Sequence, residues 1–409
     1  MTVPENTKKD PNRRKNMNWD KVIDRKKCLE SARNAAEYIY RSQNCQGQAY
    51  GYLPSGIESE RYIEYKPAQW TIAFGAMALL AASAAFQEER FRKASLLAAE
   101  YIKSLQVFSP FLKEDYGAFN ESGPHTNWCY TRDSVSAAWS FLVLYKATHN
   151  EEYLERARLF AEWFVRRTLD PDGWPVSRVF FTKEAHDAIT SRPGGENIDE
   201  FMNVQGYFQG GGLNFFKLLA ETSGNGKWVS DMYLRMADLL VDRMQEPCGN
   251  YNSVKIATKE FNPPKYVRDD FCSLGLIGAY KLTKNPKYIQ SVEKYLRYAF
   301  SIQLPDGSFK DDDSIASIPE ILNAAYEAEG LMDTSFISED AVKSAFDFLF
   351  KRQYDGWLYR KMAGGFIEET FVDINSWPPP VFTIHLRGTS YATLFLLKMA
   401  TGKAVGIEA

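Results

Sequence analysis

Acidic residues stand where several apolar helical segments are predicted to begin. Asp133, Asp199 and Asp270 each lie at such a start, and Tyr130 precedes the first of them by three residues. Carboxyl groups that meet in one apolar cavity come to differ in proton affinity, so one can donate a proton while another accepts one. We therefore predict general acid/base chemistry carried by Asp199, Asp133, Asp270 and Tyr130. The alternative for each Asp is a helix N-cap, which requires the same residue type at the same place.

Arginine and aromatic residues accompany these acids and suit a ligand with a carboxylate and an apolar face. Each Arg could hold a carboxylate through two parallel hydrogen bonds, or could pair instead with a loop acid such as Asp269 or Asp313. Aromatic rings can stack on sugars, line a terpenoid cavity or simply belong to the core. A histidine in a long loop can likewise be structural. The predicted substrate-binding residues are Arg132, Arg268, Arg387, Trp70, Trp128, Tyr207, Trp377 and His385.

The segments that must position these residues are of two alternating kinds. Six are amphipathic helices with one charged face: Asp24–Gln43, Glu89–Leu105, Glu151–Arg167, Lys227–Met244, Lys287–Ile302 and Ser338–Arg352. Six others are apolar nearly all round: Gln69–Ala85, Asp133–Ala147, Tyr207–Ala220, Asp270–Leu282, Ile318–Leu331 and Thr389–Ala400. A helix without a polar face must be covered on all sides, so the apolar set is predicted to lie inside.

This alternation is an internal repeat of roughly 50 to 70 residues, the pattern of helical hairpins stacked side by side. A closed ring with the apolar helices inside covers them all, which predicts an all-α fold, an (α/α)6 toroid of six helical hairpins. An open solenoid is the alternative. The links that enter the apolar helices are long and rich in aromatic residues. Because hairpins alternate in direction, these links emerge at one end of the ring, where we expect the site.

The chain shows no linker that would divide it. We expect a flexible N-terminal tail over residues 1–20 and one toroid domain over residues 21–409. Several amphipathic helices end in a glycine turn followed by an aromatic residue, such as Gln303 to Phe309 with Gly307 inside it. We interpret these turns as structural, since Asp-Gly supplies a positive φ and the aromatic ring fills the gap between hairpins.

Composition excludes several classes of protein. An apolar content of 45% with 14% aromatic residues describes a globular chain and excludes disordered and fibrous ones. A formal net charge of −3 provides no positive field for nucleic acid or an anionic membrane. Five scattered cysteines without a CxxC motif predict neither a disulfide framework nor a zinc site, and we expect no cofactor or metal. No run reaches the roughly 18 apolar residues of a spanning helix, and we expect a cytoplasmic protein.

One short motif resembles a known family. The stretch Ile198-Asp199-Glu200-Phe201-Met202-Asn203 resembles the I-D-x-x-M-N signature of the unsaturated glucuronyl hydrolases. The six-hairpin organisation is similar to theirs over most of the chain. In that family the Asp of the signature is the catalytic acid/base and a second essential Asp opens the preceding inner helix. The resemblance therefore implies these roles for Asp199 and Asp133.

Uronate C5-epimerases and polysaccharide lyases are also similar, in using helical toroids with Tyr, Arg and acidic residues around a carboxylated sugar. We predict a carbohydrate-active enzyme that acts on a uronic-acid-containing oligosaccharide by general acid/base catalysis. Hydrolysis, elimination and epimerisation stay open, as does the oligomeric state.

Two other functions remain as alternatives. The turn Gln303 to Phe309 resembles the Gln…Gly-x-Trp repeat of terpenoid cyclases, which also use helical barrels. The acidic run Asp311-Asp312-Asp313 has neither the D-x-D-D nor the D-D-x-x-D spacing that those enzymes require. A non-catalytic interaction scaffold is the other alternative, and convergent acids and aromatic residues count against it.

Overall fold

The computed structural model describes residues 17–59, 68–170, 173–191, 203–204, 209–255, 258–262, 267, 269–309, 315–370 and 382–409. Four of the predicted site residues lie outside the described residues: Asp199, Tyr207, Arg268 and Trp377. The first 16 residues of the predicted tail do as well. Near the end of the predicted tail, Trp19 is buried, and its ring centroid lies 5.2 Å from that of Tyr326.

Fourteen α-helices lie within the described ranges. They are α1 (Trp19–Val22), α2 (Arg25–Ser42), α3 (Gln69–Phe86), α4 (Glu89–Leu105), α5 (Thr131–Thr148), α6 (Glu151–Arg167), α7 (Lys183–Thr190), α8 (Gln209–Ser223), α9 (Arg235–Leu239), α10 (Cys272–Thr283), α11 (Pro286–Ser301), α12 (Ser317–Ala328), α13 (Glu339–Lys351) and α14 (Leu386–Thr401). Helix α9 is continued on both sides by π-helical turns, Val229–Leu234 and Leu240–Met244.

The six apolar helices form a closed inner ring. In chain order α3, α5, α8, α10, α12 and α14 each contact the next, and α14 contacts α3. The amphipathic helices α2, α4, α6, α9, α11 and α13 lie outside them, and α2 packs on α14. The first and the last long helices therefore form the sixth hairpin. The predicted (α/α)6 toroid is confirmed, and the open solenoid is excluded.

Side-chain size explains why the inner helices can pack so closely. Helix α3 consists mostly of Ala, Gly and larger apolar residues, and nearly all of its first 14 positions are buried. A Cβ atom on Gly75 would lie 2.6 Å from Leu53 Cδ1, so a larger residue there would require the Leu53 side chain to move. By length and composition α3 is the one described helix that could cross a membrane, but 72% of it is buried in the ring.

A glutamine after five of the outer helices ties each hairpin to its neighbour. Gln43 Nε2 donates to the Gly51 carbonyl (3.1 Å) in its own turn and to the Ala94 carbonyl (2.9 Å) in α4. The same two-carbonyl arrangement recurs among the described residues at Gln106, Gln245, Gln303 and Gln353. We call these contacts the glutamine clamps. In the turn after α6, Leu169 occupies the corresponding position, four residues before Gly173.

The glycine turns beside the clamps are structural, as predicted. Gly307 has φ +96°, and a Cβ atom there would collide with the Ser344 carbonyl of α13. Gly173 likewise has φ +83°. A positive φ is accessible to glycine without steric cost, which explains the residue type.

Three small antiparallel sheets lie in the long links, which sequence reasoning treated as loops. One sheet has the order β1 (Gly56–Glu58), β7 (Phe382–His385), β6 (Ile367–Thr370); the others pair β2 (Trp128–Tyr130) with β3 (Arg178–Phe180) and β4 (Asn203–Val204) with β5 (Val254–Lys255). Strand β2 leads directly into α5 and β7 into α14. These strands fix the first turns of two inner helices at one end of the ring, which we call the mouth.

Candidate functional site

An indole ring at the mouth brings three inner helices together. Trp70, in the first turn of α3, donates from Nε1 to the Tyr391 hydroxyl of α14 at 2.9 Å. The Arg132 Cζ of α5 lies 4.8 Å from its ring centroid and the Arg387 Cζ of α14 lies 5.3 Å from it. Cations near an indole face are attracted to it. The structure thus places Trp70, Arg132 and Arg387 in one cluster.

Each of these two guanidinium groups already has a carboxylate partner. Arg132 Nε lies 2.8 Å from Asp133 Oδ1, and Arg387 forms an ion pair with Glu368 of β6. The side chains of Arg387 and Glu368 are 12% and 6% exposed, so this second pair is poorly screened by solvent. Asp269, one of the loop acids named in the sequence analysis, is not one of these partners, and Asp313 lies outside the described residues. Within the described residues, each of these two guanidinium groups is therefore matched by one carboxylate.

A second acid, Glu121, is buried behind Asp133. Its Oε2 accepts hydrogen bonds from the Tyr130 amide (2.8 Å) and from Gln69 Nε2 (3.3 Å). Burial, together with the charge of Asp133 and a hydrogen bond to it, raises the pKa of Glu121 well above its ordinary value. Asp133 thus lies next to two groups, the carboxyl group of Glu121 and the guanidinium of Arg132. Sequence reasoning missed Glu121, because a single acid within a polar link carries no signal of burial.

Tyr130 and Trp128 lie on β2 and are covered by an arginine from β3. The guanidinium of Arg178 donates a hydrogen bond to the Tyr130 hydroxyl, and its Cζ lies 4.2 Å from the Tyr130 ring centroid and 4.9 Å from that of Trp128. The antiparallel register, with Tyr130 opposite Arg178, brings them together. A cation so close to a phenol oxygen stabilises the oxygen as a hydrogen-bond acceptor.

Asp270 lies at the start of α10 in an uncommon backbone conformation. Asp270 and Phe271 have φ values of +41° and +66°, which cost free energy for residues with a Cβ atom and occur often at functional sites. The Asp270 amide donates to Glu320 Oε2 of α12 at 3.2 Å, and both side chains belong to buried residues. Burial, followed by the charges of Asp270 and Glu320, raises the pKa of Tyr391 well above its ordinary value. The two acids therefore lie near Tyr391, close to the ring axis.

Glu320 was missed by sequence reasoning, although it had a signal. It is an ionisable residue inside the segment Ile318–Leu331, which was otherwise predicted to be apolar and buried. Buried acids are rare unless they are paired or functional.

The neighbouring acid Asp269 has a capping role. Its Oδ1 accepts a hydrogen bond from the Ser273 amide at 2.7 Å, in the first turn of α10. Burial raises the pKa of Asp269 to about 7, against the lowering effect of its hydrogen bonds with Ser273. The helix-capping alternative considered for Asp270 thus applies to the residue before it.

Four aromatic side chains close the ring of helices below these acids. The centroid of Phe271 lies 5.3 Å from those of Phe74 and Trp139, and Tyr391 contacts Phe74 at 4.5 Å. Such edge and offset contacts are the favourable geometries for aromatic pairs. These side chains give the mouth an apolar floor, and we call the part of the mouth above it, around Trp70, Arg132, Asp270 and Arg387, the cup.

His385 is the last residue of β7 and the N-cap of α14, two residues before Arg387, and it is half-buried. By contrast, His149 caps the opposite end of α5, and His186 is exposed beside Asp187. Within the described residues, no group of three or more His, Cys, Asp or Glu side chains could hold a metal ion.

A closed ring of helical hairpins with a cup of acids, arginines and aromatic residues defines an (α/α)6-toroid enzyme of the carbohydrate-active class. Residues 19–241 match the family model of N-acylglucosamine 2-epimerase (GlcNAc 2-epimerase), and the chain belongs to this family. No curated protein matches the sequence significantly. The prediction of a carbohydrate-active enzyme is therefore confirmed.

Solved structures show the same fold at low sequence identity. A cellobiose 2-epimerase from Bacillus thermoamylovorans has a TM-score of 0.69 and 12% identity over 90% of this chain and 98% of its own. An unsaturated glucuronyl hydrolase specific for heparin has a TM-score of 0.62 and 12% identity, covering 92% and 97%. A GH76 α-mannanase from Bacteroides thetaiotaomicron has a TM-score of 0.64 and 14% identity, covering 92% and 96%. The resemblance to glucuronyl hydrolases thus holds for the fold.

Proposed function

We propose that this chain epimerises a neutral sugar at C2, the carbon next to the carbonyl of the open-chain form. Family membership supports C2 as the reacting position, and one of the structural neighbours is a cellobiose 2-epimerase. A base removes the C2 proton and the C–H electron pair moves toward the carbonyl oxygen, giving an enediolate. A proton returned to the opposite face of C2 restores the carbonyl and inverts the centre, so substrate and product have the same composition.

The pairing of Arg132 and Arg387 with buried carboxylates supports the choice of a neutral substrate. A uronate bound at Arg132 or Arg387 would have to compete with Asp133 or Glu368 for the guanidinium. A guanidinium has five N–H donors, so each arginine can keep its ion pair and still donate to an uncharged hydroxyl or carbonyl. The uronic-acid substrate stays a prediction from sequence, and the ion pairs favour a neutral sugar.

We assign the proton transfers to Asp270 and His385. Asp270 lies two residues before α10 and His385 is the N-cap of α14. These two inner helices are separated in the ring by α12, so the two residues are held at different points around the mouth. Two groups on different sides of a substrate are what inversion of a carbon centre requires. Arg387 would stabilise the negative oxygen of the enediolate, and Trp70 would pack against the apolar face of the sugar.

The remaining predicted residues are assigned as follows. We propose that Asp133 positions Arg132, since it is engaged with that residue and with Glu121. Tyr130 is proposed as a hydrogen-bonding contact on the β2 side of the cup. The catalytic role of Asp199 stays a prediction. So do the binding roles of Trp128, Tyr207, Arg268 and Trp377.

The test is exchange of solvent deuterium. The protein is incubated in D2O with N-acetylglucosamine, with cellobiose and with an unsaturated uronide, and the products are followed by NMR. We expect a C2-inverted product with deuterium at C2 from a neutral sugar. Asp270→Asn and His385→Gln should each lower kcat by roughly two to four orders of magnitude, because each removes a proton-transfer group. His149→Gln, an exposed histidine at the opposite end of α5, is the matched control and should keep full activity.

Cleavage of the uronide without deuterium at C2 would show that the reaction is hydrolysis or elimination and would refute the proposal. Full activity of the Asp270→Asn variant would show that its carboxyl group only shapes the start of α10.

A further inference from the structure

The interface between the third and fourth hairpins differs from its neighbours. Leu169 stands where five other turns have a clamping glutamine, so no glutamine clamp joins this turn to the next outer helix. That next helix has π-helical turns on both sides of α9. The Arg235 side chain lies against Gly173 in place of the tight backbone contact made by Gly307. At this interface an arginine contact therefore stands where the other turns have a glutamine clamp.

A surface cleft of about 920 Å³ opens beside this interface, and we call it the rim cleft. It is lined by Trp174, Asp242, Arg243, Gln245, Pro247, Lys259, Phe261 and Lys294. Gln245 and Trp174 follow the ends of outer helices, so the cleft lies toward the mouth end of the ring. It contains no residue of the cup, and it is large enough for several sugar rings.

The rim cleft has an excess of positive charge. Among its described lining residues the one acid is Asp242, which lies 3.3 Å from Lys287; Lys259 lies 3.5 Å from Asp170. Arg243 and Lys294 are exposed, and neither has an ion-pair partner within the described part of the chain. In the cup, by contrast, Arg132 and Arg387 are each matched by a buried carboxylate.

Aromatic surface accompanies these cations. Phe261 is 41% exposed, which is unusual for so large an apolar side chain. Trp174 also lines the cleft; it is only 8% exposed, and Lys259 Nζ lies 4.5 Å from its ring centroid. A ligand that satisfies the cleft must offer both an apolar face and negative charge. A chain of sugars that carries carboxylate groups has both on each residue.

We propose that the rim cleft binds an acidic oligosaccharide, with Phe261 packed against a sugar ring and with Arg243 and Lys294 facing its carboxylates. The carboxylated sugar predicted from the sequence would then bind at the rim, apart from the neutral ring that reacts in the cup. This proposal does not depend on the C2 chemistry, because binding to the rim cleft can be measured on the whole protein without any reaction in the cup.

The experiment is calorimetric titration with two uncleaved tetrasaccharides, tetragalacturonate and the neutral cellotetraose, at low ionic strength. We expect tetragalacturonate to bind at least tenfold more tightly. The double variant Arg243→Ala/Lys294→Ala should weaken it about tenfold, since two exposed charge contacts are lost. The matched control Lys93→Ala/Lys343→Ala removes two exposed lysines from α4 and α13 and should bind like the wild type. Phe261→Ala should weaken tetragalacturonate binding as well, because it removes the packing surface.

Equal affinity of the wild type for the two tetrasaccharides would overturn the proposal, and so would unchanged binding by the Arg243→Ala/Lys294→Ala variant. Inorganic phosphate that binds as tightly as tetragalacturonate would show a simple anion site and would overturn it too. The His385→Gln variant separates the two sites, since it should lose epimerisation and keep tetragalacturonate binding. Loss of both in that variant would place the acidic sugar in the cup and refute a separate rim site.

Discussion

The closure of the ring can be weakened at one side chain, Gln353. Its Nε2 donates to the Ser31 carbonyl (2.8 Å) and to the Gly364 carbonyl (2.9 Å), and its Oε1 accepts from the Ser31 hydroxyl (2.8 Å). These bonds join the turn after α13 to α2. Gln353→Leu keeps a side chain of similar size and removes all three. At about 1 kcal/mol for each net hydrogen bond, the free energy of unfolding should fall by about 3 kcal/mol.

The measurement is urea denaturation followed by circular dichroism, in which a lower midpoint with an unchanged slope reports a loss of stability. Gln46→Leu is the matched control, because Gln46 is exposed and its described hydrogen bond is made by the backbone amide. It should change the unfolding free energy by less than about 0.5 kcal/mol. Adding Ser31→Ala to Gln353→Leu should cost little more, since the partner is already gone. Equal midpoints for Gln353→Leu and Gln46→Leu would refute the reasoning that the clamp stabilises the closed ring.

Two further predictions concern a turn and a buried acid. Gly307→Ala should lower the free energy of unfolding by at least about 3 kcal/mol in the same urea assay, because its Cβ atom would meet the Ser344 carbonyl. The control Gly330→Ala, with φ +76° and open space around it, should cost about 1 kcal/mol. Similar costs for the two variants would contradict the predicted collision. The pKa of Asp269 is raised to about 7 from 3.8, so the folded state binds its proton more tightly than the unfolded state, and this contribution to stability is lost as pH rises between those values. Asp269→Asn should therefore gain stability relative to the wild type, by on the order of 4 kcal/mol, from pH 4 to pH 7; a difference between the two proteins that does not change with pH would rule this out.

The helices were predictable because each had to satisfy a local pattern. The apolar segment predicted over Gln69–Ala85 is observed as Gln69–Phe86, since every position on it is suitable for burial. The last inner helix begins at Leu386, three residues before the prediction, because β7 ends at His385 and leads straight into it. Strand β7 pairs with β1, which lies more than 300 residues earlier in the chain. A periodic pattern within one segment cannot reveal it.

The residues of the cup were predictable in type but not in partnership. Arg387 and Trp70 were expected near a ligand, and they do lie together. That Arg387 would be matched by Glu368 depends on how β6 pairs with β7, which the sequence pattern does not determine. The same holds for Glu121 and Asp133, which meet only after a link folds back over the start of α5. The charge state of the cup follows from these pairings, and so does the argument for a neutral substrate.

The pairing of α2 with α14 has a consequence for the order in which the molecule can be assembled. Arg25 at the start of α2 donates to the Met399 carbonyl of α14, across 374 residues of chain. While the chain is being made from its N-terminus, one apolar flank of α3 has no cover until residues 386–401 are available. Contacts over such separations form slowly, and exposed apolar surface in the interval favours aggregation. A ribosome that pauses before this last helix would hold an incomplete ring with the apolar flank of α3 exposed. At that point in synthesis a chaperone would have the most apolar surface to cover.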